Sequence, residues 1–262
     1  MGRRSPPTID FQQIMPVTYF VRILMIINVA VWFIGIVIIE QYFLKAPYIT
    51  SWLGLTPYDL LRNFFVWQPL TYLFIHAVSP MHIIFNMILL WWLGGQLERV
   101  WGTKFFALFY FVSGIGAAFL YSFAVVGYVL ISGQKELLAV PVVGASAALF
   151  GLLVAYGMLF GEQTVYFMFF FPMKAKYFVA LLAGIEVVLV LNNGPVQGKV
   201  ANLAHVGGLI TGYIFLKIWP TIKGGWGSTK GPRSKKARDK KLRLVVNNDD
   251  DALDAEKPKY WN

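Results

Sequence analysis

The chain reads as an all-α, polytopic membrane protein with six transmembrane helices, and three observations carry that expectation. Charged residues make up 14% of 262 and apolar ones 57%, whereas about a quarter of an ordinary soluble domain is charged. Mean hydropathy is +0.59, and the apolar residues gather into runs close to the ~20 needed to cross a hydrocarbon core. The dyad alternation over short strands that marks a membrane β-barrel is absent from the sequence.

Residues 1–19 are polar and contain proline, and read as a short cytoplasmic lead. Arg3 and Arg4 are suited to the start of a signal peptide, but the apolar run Val21 to Ile39 is too long and has no small-residue cleavage site. The first span, about Phe20 to Ile39, is therefore expected to be retained. Residues 40–78 are too broken to cross: they hold Lys45, Asp59, Arg62 and three prolines, together with Trp52, Phe64, Phe65 and Trp67. Tryptophan favours the headgroup level, so this connection is expected to lie partly in the interface. Ser79 as N-cap and Pro80 at the first helical position start the second helix, which runs through Trp91 and Trp92 to Gly94-Gly95. Glu98, Arg99, Gly102 and Lys104 make the turn to a third span over 105–126, and Gly127 to Val140 reads as a loop. The fourth span is expected over 142–160. Residues 164–171 (TVYFMFFF) are too short to span and are expected at the interface ahead of Lys174 and Lys176. The fifth span covers 177–192, Asn192-Asn193-Gly194-Pro195 turns the chain, and the sixth covers 200–219. The division is thus a lead over 1–19, a membrane domain over 20–219 and a tail over 220–262, basic from Lys230 to Arg243, then acidic, and expected to be disordered.

Six spans put both termini on one side. Arg3, Arg4, the Arg99/Lys104 turn, the Lys174/Lys176 turn and the basic tail share that side, while the opposite loops carry only Lys45, Arg62, Lys135 and Lys199. The positive-inside rule makes the termini cytoplasmic, in a cell (inner) membrane. A tail of this kind touches anionic lipid; with no folded reading module beside it, nucleic acid is not an expected partner.

Helices two, four and six then all begin at the outer face. His82 and Asn86 fall in the first two turns of helix two, Ser146 in those of helix four, and His205 near the second turn of helix six. At 1.5 Å rise per residue, all four lie within about 10 Å of the outer boundary. Polar side chains are expensive there and by default mark function. Small residues recur at four-residue spacing (Gly144 and Ala148, Ala147 and Gly151, and Ala204, Gly208 and Gly212), and such stripes let membrane helices approach closely. A serine and a histidine brought together make an activated nucleophile. His205 would accept the Ser146 proton and later protonate the leaving amine, with Asn86, His82 and the Ser146 backbone N–H as oxyanion donors. Phe150, four residues after Ser146, shares its face and is placed to pack on the imidazole. No acid is obviously placed to orient His205, so a dyad is expected rather than a triad. Glu186, nearly midway along span five, stays outside the expected site; being protonated, bonded to a neighbouring helix, or facing a water pocket are all open to it. His76, ahead of helix two, reads as structural. Three histidines without clustered carboxylates do not suggest a metal site, and no cofactor is expected.

These fragments together resemble the rhomboid family of intramembrane serine proteases. The resemblance covers about residues 67–216 and rests on Trp67 ahead of helix two, His82-x-x-x-Asn86, Gly94-Gly95-x-x-Glu98, Gly144-x-Ser146 and Ala204-His205-x-Gly207-Gly208-x-x-x-Gly212. It implies a six-helix rhomboid bundle, a Ser146–His205 dyad, an oxyanion site with His82 and Asn86, and cleavage of transmembrane protein substrates near their outer end. It also suggests substrate access by movement of span five and the Asn193–Lys199 loop. The chain departs from the family at Ala147, where glycine usually follows the nucleophile, and at Gln68, where arginine is favoured. A catalytically silent relative that binds transmembrane clients is the alternative, supported only by Ala147. A transporter would need its polar groups near the midplane, and ranks last. Oligomeric state is not legible in the sequence.

Overall fold

The computed structural model describes residues 17–167, 170–193 and 200–222. Residues 1–16 of the expected lead over 1–19, most of the Asn193–Lys199 loop with Gly194, Pro195 and Gly198, and residues 223–262 of the expected tail over 220–262 lie outside the described residues. Helix α1 (Tyr19–Leu44) begins in α-helical turns and continues from Val31 in wider π-type turns. It outlasts the expected span by more than a turn and stops at Lys45, which adopts φ 51. Three short helices, α2 (Tyr48–Leu53), α3 (Pro57–Arg62) and α4 (Gln68–Thr71, extended by a 3-10 turn over Tyr72–Phe74), organise the connection. Aromatic residues of the connection face one another, Phe65 and Trp67 stacking at 4.6 Å and Trp67 Nε1 donating to the Trp52 carbonyl at 3.0 Å. Gln68 is fully buried and its side-chain carbonyl accepts the Thr56 N–H at 3.1 Å, so this position holds the connection with an amide.

Helix α5 runs over 80–101 as Pro80–Leu89, a π-type stretch Leu90–Gly94, and Gly95–Trp101. Ser79 occupies the N-cap, but its hydroxyl makes no capping bond. At the other end, the Glu98 carboxylate accepts from the Phe20 and Val21 N–H groups and from the Thr18 and Thr103 hydroxyls. It thereby ties α5 to the orphan N–H donors at the start of α1 and to the Thr103 hydroxyl at the start of α6. Helix α6 (Thr103–Ser132) is longer than expected: the segment placed in a loop from Gly127 stays helical to Ser132. One internal glycine costs only about 1 kcal/mol, and the helix ends where Gly133 takes φ +74 and its N–H returns to the Val129 carbonyl at 2.8 Å.

Helix α7 (Ser146–Leu159) starts four residues later than expected. Its 14 residues reach about 21 Å, short of the ~30 Å core. The preceding chain is therefore non-helical backbone that must find partners in the protein. It does so. Val142 pairs with Leu55 in both directions at 2.8 and 2.9 Å, and the Gly144 N–H donates to the Tyr72 carbonyl at 2.9 Å. The apolar stretch near 164–171 is a hairpin, β1 (Thr164–Phe167) against β2 (Phe171–Lys174), whose β-branched and aromatic residues favour strand. Helices α8 (Ala175–Asn193) and α9 (Val200–Ile222) complete the described chain.

Among the described residues, four helices are long and apolar enough to cross a membrane: Tyr19–Leu44, Thr103–Ser132, Ala175–Asn192 and Ala201–Trp219. Helix α7 is apolar but shorter. Packing around it is close. A Cβ at Gly212 would stand 2.8 Å from Gly151 Cα, and one at Gly207 3.2 Å from Ala117 Cα. The small-residue stripe of α9 thus lies against the backbones of α7 and α6, as such stripes permit. Gly144 is the exception, since it sits outside the helix and does not pair with Ala148 on one helical face.

Candidate active site

Ser146 is the first residue of α7. Its own N–H and the next two are among the donors left free at a helix start, and the helix dipole adds partial positive charge there. Gly144 makes the approach possible: its φ is +125, a region L side chains rarely adopt, and a Cβ would stand 3.0 Å from His82 Nε2 and 3.5 Å from Ser146 Oγ. The same residue therefore sits between the hydroxyl and the His82 ring. The Ala145 N–H points at His76 Nε2 at 3.5 Å. His76 is buried, and burial, with His82 beside it, pushes its imidazole down to about 4. It is a neutral acceptor bracing the turn into α7.

His205, six residues into α9, places Nε2 2.8 Å from Ser146 Oγ. The close packing described above makes this reach possible. Phe150 lies flat against the imidazole, centroids 4.4 Å apart and planes 20° from parallel, one helical turn below Ser146. His82 Nδ1 accepts the Ala77 N–H at 3.2 Å, which leaves the ring proton of neutral His82 on Nε2, toward Gly144 and Ser146. Asn86 is less free than its depth suggested: its Nδ2 donates to the His82 carbonyl at 2.7 Å. One of its two amide hydrogens is left for another acceptor.

A cavity of about 360 Å³ joins these groups, with Ser146, His205, His82 and Asn86 at one end and Phe85, Leu89, Leu153 and Leu182 extending it between α5, α7 and α8. Its walls are overwhelmingly apolar, suited to extended chain carrying apolar side chains. Among the described residues, no group of three or more His, Asp or Glu side chains is placed to hold a metal ion.

One neighbour was missed from the sequence. Glu186 of α8 sets Oε1 3.2 Å from His205 Nδ1, so an acid does lie beside the imidazole. The cost of a carboxylate within an apolar span was the available signal, but which helix it faced was not readable from spacing.

The model of the Rhomboid domain matches residues 63–220. The chain is also similar to the Rhomboid protease GlpG of Yersinia pseudotuberculosis serotype I (strain IP32953), 29% identical over 175 residues, which cover 66% of this chain and 54% of that protein. The Rhomboid protease GlpG of Yersinia pestis (strain Pestoides F) matches to the same extent. The RHOMBOID-like protein 1 of Arabidopsis thaliana is 34% identical over 150 residues, 57% of this chain and 33% of that one. The chain spans about half the length of the bacterial relatives it matches.

Proposed function

This chain belongs to the rhomboid family, and on that premise we propose that it is an intramembrane serine endopeptidase, hydrolysing peptide bonds in or near transmembrane segments of membrane proteins. It is an integral membrane protein, and the proposal adds six spans within 20–219, with α5 and α7 joining the four long apolar helices. Both termini are then cytoplasmic, and the ends at which α5, α7 and α9 begin face outward. The observation that carries the reading is the 2.8 Å approach of His205 Nε2 to Ser146 Oγ at the end of an apolar cavity.

In the reaction, Ser146 Oγ adds to the scissile carbonyl carbon as its proton passes to His205 Nε2. The negative oxygen is stabilised by the Ser146 N–H, the His82 Nε2–H and the remaining Asn86 amide hydrogen. Collapse breaks the C–N bond, and His205 returns the proton to the leaving amine. Water, deprotonated by the same imidazole, then hydrolyses the acyl-enzyme. Phe150 limits the tilt of the ring through both proton transfers. Substrates are single-span proteins with a weak helix near the outer surface, because a helical carbonyl is engaged in its own hydrogen bonds until the segment unwinds. They reach the cavity between α5 and α8, where Phe85, Leu89 and Leu182 line the opening.

The test is cleavage of a fluorescent transmembrane substrate by the purified full chain in detergent. Wild type cleaves, and Ser146→Ala and His205→Ala do not. A wild type that binds such substrates without cutting them supports the silent client-binder instead.

A further inference from the structure

Glu186 is the one carboxylate carried on α8, and the residues around it, Ile185, Val187 and Val188, are exposed where lipid would lie. Its own side chain is not: 13% is exposed, against 17% for His205. Oε1 stands 3.2 Å from His205 Nδ1, while Oε2 and Nδ1 are both buried without a hydrogen-bond partner. The ion-pair distance is met although the N–H direction misses the oxygen. Terminal carboxylate torsions are broad and soft, and such contacts commonly tighten only when substrate is bound. The tautomer gives the contact its meaning. If Ser146 donates its hydroxyl proton to Nε2, neutral His205 must carry its own proton on Nδ1, on the side where Glu186 waits.

Resting on the reading of Ser146 and His205 as nucleophile and base, we propose that Glu186 is a positioning residue for His205, making the pair a three-residue relay drawn from α7, α9 and α8. The carboxylate holds the Nδ1–H tautomer and stabilises the imidazolium that forms as Ser146 loses its proton. It also gives an otherwise uncompensated charge inside an apolar span a partner. Three other side chains face the ring: Ser146 and Phe150 from α7, and His82 from α5, which is the other titratable group lining the cavity.

Glu186→Gln tests this, since it keeps shape and hydrogen-bonding capacity and removes only the charge. The full chain is assayed in detergent on the fluorescent transmembrane substrate across pH. The expected result is a loss in kcat of at least about tenfold, and up to the ~10⁴-fold that an orienting acid supplies in a triad, with KM within about twofold. The acid limb of the rate profile moves to lower pH, because the imidazolium has lost its partner. Glu186→Asp, which keeps the charge, recovers part of kcat and the wild-type limb. Wild-type kcat and profile in Glu186→Gln, with Ser146→Ala still inactive, overturn the relay and leave the protease reading standing. Cleavage that survives Ser146→Ala removes that reading itself. A Glu186→Gln protein that loses thermal stability with an unmoved pH limb makes Glu186 helix-to-helix glue, and also overturns the proposal. If Glu186→Gln fails to fold, Glu186→Asp decides: a folded protein with kcat below wild type, KM within about twofold and the wild-type limb supports the relay, and a folded protein with wild-type kcat opposes it.

Discussion

Substituting alanine for Gly208 perturbs the site without touching any of its functional groups. A Cβ at Gly208 would stand 2.8 Å from the Ala147 carbonyl carbon and 3.3 Å from its Cα, and it would overlap the carbonyl oxygen. Ordinary carbon contacts are about 3.5–4.0 Å, so α9 must retreat from α7 by about 1 Å, the obstacle being backbone that cannot rotate away. Gly208 lies three residues after His205, so the retreat carries the imidazole with it. The 2.8 Å Ser146–His205 approach would lengthen toward about 4 Å, outside hydrogen-bond range. A misplacement of that size costs about a hundredfold in rate, and the overpacking costs about 1–3 kcal/mol of stability. Cleavage of the fluorescent transmembrane substrate and the thermal unfolding midpoint read both effects. Gly184→Ala is the control: its added Cβ meets nothing within 4 Å, and helix propensity makes it neutral or stabilising by up to about 1 kcal/mol. A Gly208→Ala protein with wild-type cleavage and an unchanged midpoint would refute the claim that close backbone approach sets the Ser146–His205 distance.

Other outcomes follow from the same geometry. Phe150→Ala removes the ring stacked on His205 and is expected to lower kcat more than it raises KM; stacking of this kind is worth about 0.5–1.5 kcal/mol, so the loss is a few-fold to about tenfold, read by steady-state kinetics. His76, whose folded-state imidazole titrates at about 4 against 6.5 in the open chain, binds its proton more readily when unfolded. Its contribution is full above pH about 6.5 and is lost as pH falls toward 4, amounting to at most about 3 kcal/mol; the thermal midpoint should fall across that window, and His76→Asn should flatten the fall. Glu162, exposed and held down to about 2 by Lys174 and Lys176, is screened by solvent, so Glu162→Gln should leave cleavage and the unfolding midpoint unchanged.

The long apolar helices were legible because membrane length and hydropathy need no tertiary information, and α1, α6, α8 and α9 occupy the expected stretches with ends shifted by packing and by Lys45, Ser132 and Gly133. The start of α7 was not legible. Pro141-Val142-Val143 is as apolar as the helix it precedes, and what makes it extended is pairing with Leu55, 87 positions away in the chain. Ser146 therefore sits at a helix N-terminus and not inside a second turn, which supplies free N–H groups beside the hydroxyl. The hairpin over 164–174 was similarly hidden, since a short apolar run fits a strand or an interfacial segment equally well. At the site, a shared depth brought Ser146, His205, His82 and Asn86 under suspicion, and all four line the same cavity. Depth said nothing of rotation about a helix axis. That is why Glu186 of α8 was left unassigned although its carboxylate stands beside His205 Nδ1, and why the bond from the Asn86 amide to the His82 carbonyl was not foreseen.

The account depends most on an activated hydroxyl at Ser146, and reaction with a fluorophosphonate probe measures that directly. Intact protein in detergent should gain one adduct, mapped by mass spectrometry to Ser146, with labelling lost in His205→Ala and in Ser146→Ala. An adduct at another residue, or labelling of Ser146 that proceeds at the wild-type rate without the imidazole, would contradict it.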